Sequence, residues 1–378
     1  MTALPLDTDL IRAEFPAFRE PSLDGWAFFE NAGGSYTAQQ VLGRLDHYYR
    51  ATKVQPYGFY PASREAGAAM DLAHRRMAQA LNVGMDWIHF GPSTSGNTYT
   101  LGNAFAGWLK PGDAVVVTNQ DHEANGGAWR RLADRGIVIR EWQVDPETGH
   151  LDPAALDKLL DSKVRAVCFP HASNIVGEIN PVHEIVQKAK SYGAVTVVDG
   201  VSYAPHGLPD LLELGCDVYL FSAYKVYGPH QGVMAIRPSL ASELPNQGHY
   251  FNDTQPRKRL TPAGPDHAQI AATAGVADYL ERVAELLRSK NNVRLIGPTD
   301  PSKRAPTVSL ALGELAVEAA DRLARHKVMA SGGHFYAYRL LEALGLNPGH
   351  GVLRVSFTHY TSAAEVQRLI EALDAELK

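Results

Sequence analysis

Cysteine is nearly missing from this chain. Two in 378 residues are too few for a disulfide framework, and neither belongs to a CxxC pair. Cys168 falls in the apolar run VRAVCFP and Cys216 in LGCDVYLFS, where both read as small, unreactive core residues. Metal-ligand patterns are missing too: fifteen histidines form no HExxH, so no metal centre is expected. No apolar run reaches the ~18 residues of a membrane span. The opening MTALPLDTDLIRAEFP lacks the cationic-then-apolar order of a signal peptide. The expected compartment is therefore the cytoplasm, with no membrane contact. There is no basic block, and a net charge of −5 with a pI near 6.3 argues against nucleic acid as a partner. Internal repeats and low-complexity tracts are also absent.

What the chain does have is length and alternation. Its 378 residues exceed the ~250–300 at which single cores stop growing, so two domains are expected. Composition, at 45% hydrophobic and 20% charged with a mean hydropathy of −0.20, is that of a globular protein. Between about residues 70 and 235, seven strand-like runs alternate with helical patterns. The strands are WIHF, GDAVVVTN, IVIREWQV, VRAVCFP, AVTVVDG, CDVYLFS and GVMAIRP. The helices are GAAMDLAHRRMAQALNV, with Met70, Ala73, Met77, Ala80 and Leu81 on one stripe, then TYTLGNAFAGWL, GGAWRRLADRG, AALDKLLDS and VHEIVQKAKSYG. This order predicts an α/β fold with a mostly parallel seven-stranded sheet, whose ligands gather beyond the carboxyl ends of the strands. After about residue 240 a polar loop, a long helix around 266–291, the strands TVSLAL and VLRVSFTHY and further helices predict a small α+β C-terminal domain. The expected division is a large domain over 20–260 and a small one from 1–19 and 261–378, with the long helix linking them.

Chemistry enters at two strand ends. AVTVVD ends in Asp199, and 26 positions later the segment after DVYLFS carries Lys225. A buried strand ending in a carboxylate, followed by one ending in a lysine, suits a pyridoxal 5'-phosphate enzyme. The amine forms a Schiff base with the cofactor aldehyde, and the acid keeps the pyridine nitrogen protonated. Taken alone, such a lysine is more often a surface charge. Three other segments follow neighbouring strands. GPSTSGNTYTLGNAF offers Thr94 and Ser95 to a phosphate at a helix start, or simply caps the helix. TNQDHEANGGAW offers His122 to stack on a cofactor ring and exchange protons beside it, or to face solvent from a loop. FPHASNIVGEINP offers Asn174 to the cofactor's phenolic oxygen, or to a turn. Five such placements after successive strands reinforce one another.

Together these segments resemble the fold-type I, class V aminotransferase family, in its branch of cysteine desulfurases and selenocysteine lyases. The resemblance runs from FFENAGGS to FTHYTSAAEVQRLI. It rests most on D-H-x-A-N at 121–125, S-N-x-x-G-x-x-N-P at 173–181, V-D-G at 198–200 and F-S-x-x-K-x-Y-G-P at 221–229. It implies that Lys225 is the Schiff-base lysine and proton carrier, Asp199 the partner of the ring nitrogen, and His122 the stacking histidine. Thr94, Ser95 and Ser222 would hold the phosphate, with Asn174 near the ring oxygen. Arg354 would grip the substrate α-carboxylate, close to the backbone of Ala32 and Gly33. A homodimer is implied, with LTPAGPD crossing to the neighbouring site.

Departures from the family pattern narrow the activity. Ser202 replaces a glutamine by the ring oxygen, and Tyr224 replaces the histidine before the lysine, its hydroxyl still within reach of a phosphate. Gly264 replaces a phosphate-binding threonine, leaving only a backbone N–H. In SGGHFYAYRLL, Tyr336 stands near the place of the desulfurase's persulfide cysteine. His334, Tyr336, Tyr57 and Tyr60 are expected at the substrate mouth or packed in an interface. The expected activity is a C–S or C–Se lyase acting by β-elimination without a persulfide. Transamination, epimerisation and a non-catalytic cofactor-binding role stand as alternatives.

Overall fold

The computed structural model describes residues 7–262, 264–288, 305–312 and 314–377. In chain order the strands are β1 (Ala27–Phe28), β2 (Ile88–Gly91), β3 (Ala114–Thr118), β4 (Val138–Trp142), β5 (Val164–Pro170) and β6 (Val195–Asp199). They continue with β7 (Val218–Ser222), β8 (Gly232–Ile236), β9 (Thr307–Leu310), β10 (Val328–Met329), β11 (Ser331–Gly333) and β12 (Val352–Ser356). β2 to β8 form the anticipated seven-stranded sheet, in the order β2-β8-β7-β6-β5-β3-β4. Every neighbouring pair is parallel except the two that involve β8. The carboxyl ends of the other six strands therefore share one edge.

The near-continuous apolar runs follow from burial on both faces. Val115, Val117, Ala166, Cys168, Val197 and Leu220 pack with Leu101, Phe105 and Trp129. The alternate residues Val116, Val167, Phe169, Val198, Tyr219 and Phe221 pack with Met70, Met77, Ile185 and Tyr279. The stripe anticipated on the helix Pro61–Ala80 is buried at Met70, Ala73 and Met77, with Leu81 at its C-cap and Ala80 half-buried. That helix begins earlier than its apolar pattern because Pro61 opens it, where a missing N–H costs nothing.

Two local expectations are corrected. The helix expected over AALDKLLDS is only Pro153–Leu156, capped by Asp152. Its continuation is diverted because Arg140 on β4 donates to the Leu159 carbonyl at 2.7 Å and to Asp161 at 2.8 Å. The polar stretch expected to be loop over 246–267 contains the short helix Pro256–Arg259. The long helix runs His267–Arg288, and its expected last residues, 289–291, lie outside the described residues.

A second body of strands carries the other half of the site. β12 lies between β11 and β9, antiparallel to both, while β1 pairs in parallel with β10. Ala27 and Phe29 share a core with Leu323, Val328, Leu353 and Leu369, so the early chain is built into the C-terminal elements. Among the described residues no helix is long and apolar enough to cross a membrane, and no group of three or more His, Cys, Asp or Glu could hold a metal ion.

Candidate active site

The common edge of the large sheet gathers the sequence candidates. One cavity is lined by Thr94, Ser95, Gln120, Asp121, His122, Asn174, Asp199, Ser202, Ser222, Tyr224 and Lys225, among others. Each arrives on the segment after a strand: Thr94 and Ser95 after β2, His122 after β3, Asn174 after β5, Ser202 after β6, and Tyr224 and Lys225 after β7. Ser93 caps the fifteen-residue helix Thr94–Trp108 by accepting from the Gly96 N–H at 3.0 Å. The Thr94 and Ser222 hydroxyls meet at 2.8 Å, so two strands converge on one helix N-terminus. Gly232 makes this approach possible, because a Cβ there would overlap the Ser93 backbone.

Charge in this cavity is set by burial. Lys225 is 8% exposed, and burial with the nearby Arg354 charge pulls its amine down to about 8, opposed by Asp199 and Glu30. Burial pushes Asp199 up to about 6, against a hydrogen bond from the Val201 N–H at 2.9 Å and the Lys225 charge. His122 caps the helix Glu123–Arg130, its Nδ1 accepting from the Ala124 N–H at 3.0 Å. Burial, followed by the charges of Lys225, Arg354 and His334, holds this ring down to about 3. The ring is therefore neutral near pH 7, with its one proton on Nε2.

Asp121 is the residue that sequence reasoning missed here, although it lies within the quoted D-H-x-A-N. Burial, then the Asp199 charge, pushes it well above the usual carboxylate range. Its Oδ1 accepts from Asn125 at 3.1 Å, and its Oδ2 is buried without a hydrogen-bond partner.

Arg354 reaches the same region from β12. It is 3% exposed, lies 3.7 Å over the Phe335 ring, and donates to the Asn174 carbonyl at 3.3 Å and to Glu30 Oε1 at 3.2 Å. Ser309 on β9 holds the Ile175 carbonyl at 2.7 Å, which draws the Asn174 loop toward β12. Burial lowers the Arg354 pKa, with Glu30 opposing. Glu30, also missed from the sequence, sits in the quoted FFENAGGS. Of the anticipated backbone contacts, the Ala32 N–H donates to Ser356 Oγ at 2.7 Å and the Gly33 N–H to the Glu30 carbonyl at 2.9 Å. Both amides are thus engaged within the chain.

The remaining candidates divide. Phe335 and Tyr336 hold left-handed backbones at φ 47 and φ 59. The Tyr336 carbonyl accepts from the Glu123 N–H at 2.7 Å, which brings its ring centroid to 5.1 Å from that of His122. His334 lies outside the cavity, in a surface cluster with Glu123, Tyr336, Tyr338, Arg339 and Glu342. Gly264 is also elsewhere in this chain, on a groove of about 830 Å³ shared with Tyr57, and Tyr60 is exposed.

The loop after Lys225 is fixed from several directions. Tyr227, at φ 60, donates its backbone N–H to Ser35 Oγ at 2.8 Å and its hydroxyl to the Pro205 carbonyl at 2.9 Å. The same hydroxyl meets His359 Nδ1 at 3.0 Å, while His359 Nε2 meets the Tyr279 hydroxyl. With the Tyr227 proton committed to Pro205, His359 must donate from Nδ1 and accept at Nε2. Burial holds His359 down to about 4, in keeping with that neutral ring.

The donor set fits pyridoxal 5'-phosphate. Hydroxyls at a helix N-terminus suit its phosphate, a buried amine suits its aldehyde, and a buried acid beside that amine suits its ring nitrogen.

Known proteins resemble the chain along nearly its whole length. The model of the class-V aminotransferase family matches residues 27–277 and 266–369. An aminotransferase-like protein of Gibberella zeae is 33% identical over the whole of both chains. A cysteine desulfurase of Serratia proteamaculans is 27% identical over 96% of each. The apo structure of a cysteine desulfurase from Thermococcus onnurineus NA1 superposes with a TM-score of 0.85 at 24% identity, covering 99% of both chains. That likeness shows the fold to be the one these desulfurases share.

Proposed function

The chain belongs to the class-V aminotransferase family, a family of pyridoxal-phosphate-dependent enzymes, and from that premise we propose a lyase acting at the α-carbon of an amino acid. In this reading it binds pyridoxal 5'-phosphate and expels a sulfur- or selenium-bearing group from the β-carbon without forming a protein persulfide. The observation that carries the reading is a buried amine–acid pair, Lys225 with Asp199, in a chain whose two cysteines are both buried. Burial pushes the Cys216 thiol up to about 12 and the Cys168 thiol well above its usual range. Neither supplies the thiolate that a persulfide requires.

When bound, the cofactor supplies an aldehyde for amines and a ring that accepts electron density from Cα. Asp199 would keep the ring nitrogen protonated, and Thr94, Ser95, Ser222 and Tyr224 would hold the phosphate. Asn174 and Ser202 would lie toward the ring oxygen, and His122 on the ring face with its Nε2 proton. Arg354 would fix the α-carboxylate and so orient the Cα–H bond. Lys225 would take the Cα proton at Nζ, a task its lowered pKa favours because the neutral amine is the base. Loss of the β-substituent and hydrolysis then give pyruvate, ammonia and free sulfide or selenide.

Purified protein should take up pyridoxal phosphate, turn yellow, and be fixed by borohydride at Lys225. Incubation with cysteine or selenocysteine should yield pyruvate with sulfide or selenide, and with cystine pyruvate with cysteine persulfide; pyruvate without the matching sulfur or selenium product would count against the lyase. Transamination is the second reading, favoured by the whole-length likeness to an aminotransferase-like protein. Stoichiometric conversion to pyridoxamine phosphate by other amino acids would select it. The reading includes a cytoplasmic homodimer with Gly264 reaching the neighbouring subunit's site, and the two-domain division at about residue 260. Sedimentation and limited proteolysis test these two features.

A further inference from the structure

Arg354 is already occupied by a carboxylate. A two-point grip on a substrate carboxylate needs two N–H groups on adjacent nitrogens of the guanidinium. Here Nη1 is committed to the Asn174 backbone carbonyl and Nη2 to Glu30 Oε1. Of these partners, only the Glu30 side chain can leave without moving the backbone. Its bond is also loose: 3.2 Å, against about 2.7–2.9 Å for a well-formed charge-assisted contact. The other oxygen, Glu30 Oε2, is buried without a hydrogen-bond partner, so this carboxylate is half-satisfied where it sits. A route out exists, because the side chain is 25% exposed while that of Arg354 is 4% exposed. The turn beneath it accommodates the inward pose: Gly33 and Gly34 donate to the Glu30 carbonyl, and a Cβ on Gly33 would collide with Glu30 Oε1.

We propose that Glu30 is an internal competitor for Arg354, a carboxylate gate that an incoming carboxylate must displace. The inference rests on Arg354 being the carboxylate site. Exchange of one carboxylate for another keeps the buried cation paired in both states, which avoids the cost of an uncompensated guanidinium. It also makes the site selective for substrates that carry a carboxylate over simple amines, which have nothing to offer Arg354 in place of Glu30. Glu30 is thus a positioning residue acting through Arg354.

The test uses the full chain loaded with pyridoxal phosphate. Titration calorimetry with propionate, and with propionamide as the uncharged control, measures carboxylate binding directly. Glu30→Gln should tighten propionate about tenfold, the scale of one charge-assisted hydrogen bond no longer contested. KM for the amino acid should fall by a similar factor while kcat does not rise, and propionamide should show no change. Glu30→Asp, shorter by one methylene, should move propionate affinity in the same direction by less. Arg354→Met should abolish propionate binding whichever residue stands at position 30. Unchanged or weaker propionate binding in Glu30→Gln, with loss of binding in Arg354→Met, overturns the gate and leaves Arg354 in its role. Propionate binding that survives Arg354→Met overturns the reading of Arg354 itself, and the gate falls with it.

Discussion

Asp199 and Ser222 end strands buried on both faces, with Lys225 in the turn that follows, whereas Glu30 bridges to Ser356 on β12 and Phe335 and Tyr336 stand on a turn beside that second, smaller sheet. On the first side, position is imposed by a core packed above and below: β7 is buried along its whole length, and Gly232 lets the Ser93 turn close on it. On the second, position depends on long-range polar contacts and on two consecutive left-handed residues, whose backbone strain the surroundings must outweigh. In the proposed function the difference separates what the two halves are for. A cofactor of fixed shape calls for a rigid cradle, while a site that admits and releases substrates needs groups that can exchange partners.

Breaking each side in turn should expose this contrast. The largest effect is expected from Lys225→Ala, which should lower turnover by about 10³-fold, the range of a lost general base, and abolish borohydride fixation. Arg354→Lys comes next: loss of the planar fork should cost roughly 10- to 100-fold in kcat/KM, leaving the cofactor's absorbance band in place.

The third prediction concerns pH in protein freed of cofactor. Asp199 is raised from 3.8 to about 6 by burial, so between these values the folded state holds more protons than the unfolded one. Stability therefore falls as pH rises through that window and levels off above 6. Asp199→Asn should be more stable than the parent by about 1–3 kcal/mol at pH 7.5, the gap closing toward pH 4 in denaturant titrations. A constant gap would show that the acid is not buried as a charge. The smallest effect is expected at Tyr336→Gly. Release of the left-handed strain should raise unfolding free energy by about 1 kcal/mol or less, while substrate affinity falls if the ring lines the mouth. A marked loss of stability would mean that the loop is as firmly built as the sheet edge.

Legibility in the sequence follows the same division. The sheet, its strand segments and the cavity residues after them could be read because each signal is local: an apolar run, then a polar residue at its carboxyl end. Asp121 was passed over because His122 beside it carried the more familiar chemistry, and nothing local marks a carboxylate as unpartnered. Glu30 was hidden for another reason. Its partner Arg354 is 324 residues away, and no periodicity links them. The helix expected in AALDKLLDS failed because a tertiary contact, Arg140 to Leu159, overrode a sound local pattern. Gly264 lies on a groove apart from Lys225, and no local signal in the sequence marks that separation.

The bonds that fix Tyr227 also bear on the order in which the protein is made. Its hydroxyl is held by Pro205, 22 residues back, and by His359, 132 residues further on. At the usual pace of translation, that interval lasts on the order of ten seconds. The large sheet can assemble on the ribosome in that time, but the segment next to Lys225 lacks one of its anchors until the segment that carries His359 emerges. A product truncated before His359 would therefore keep much of its sheet and still lack one anchor of the lysine loop.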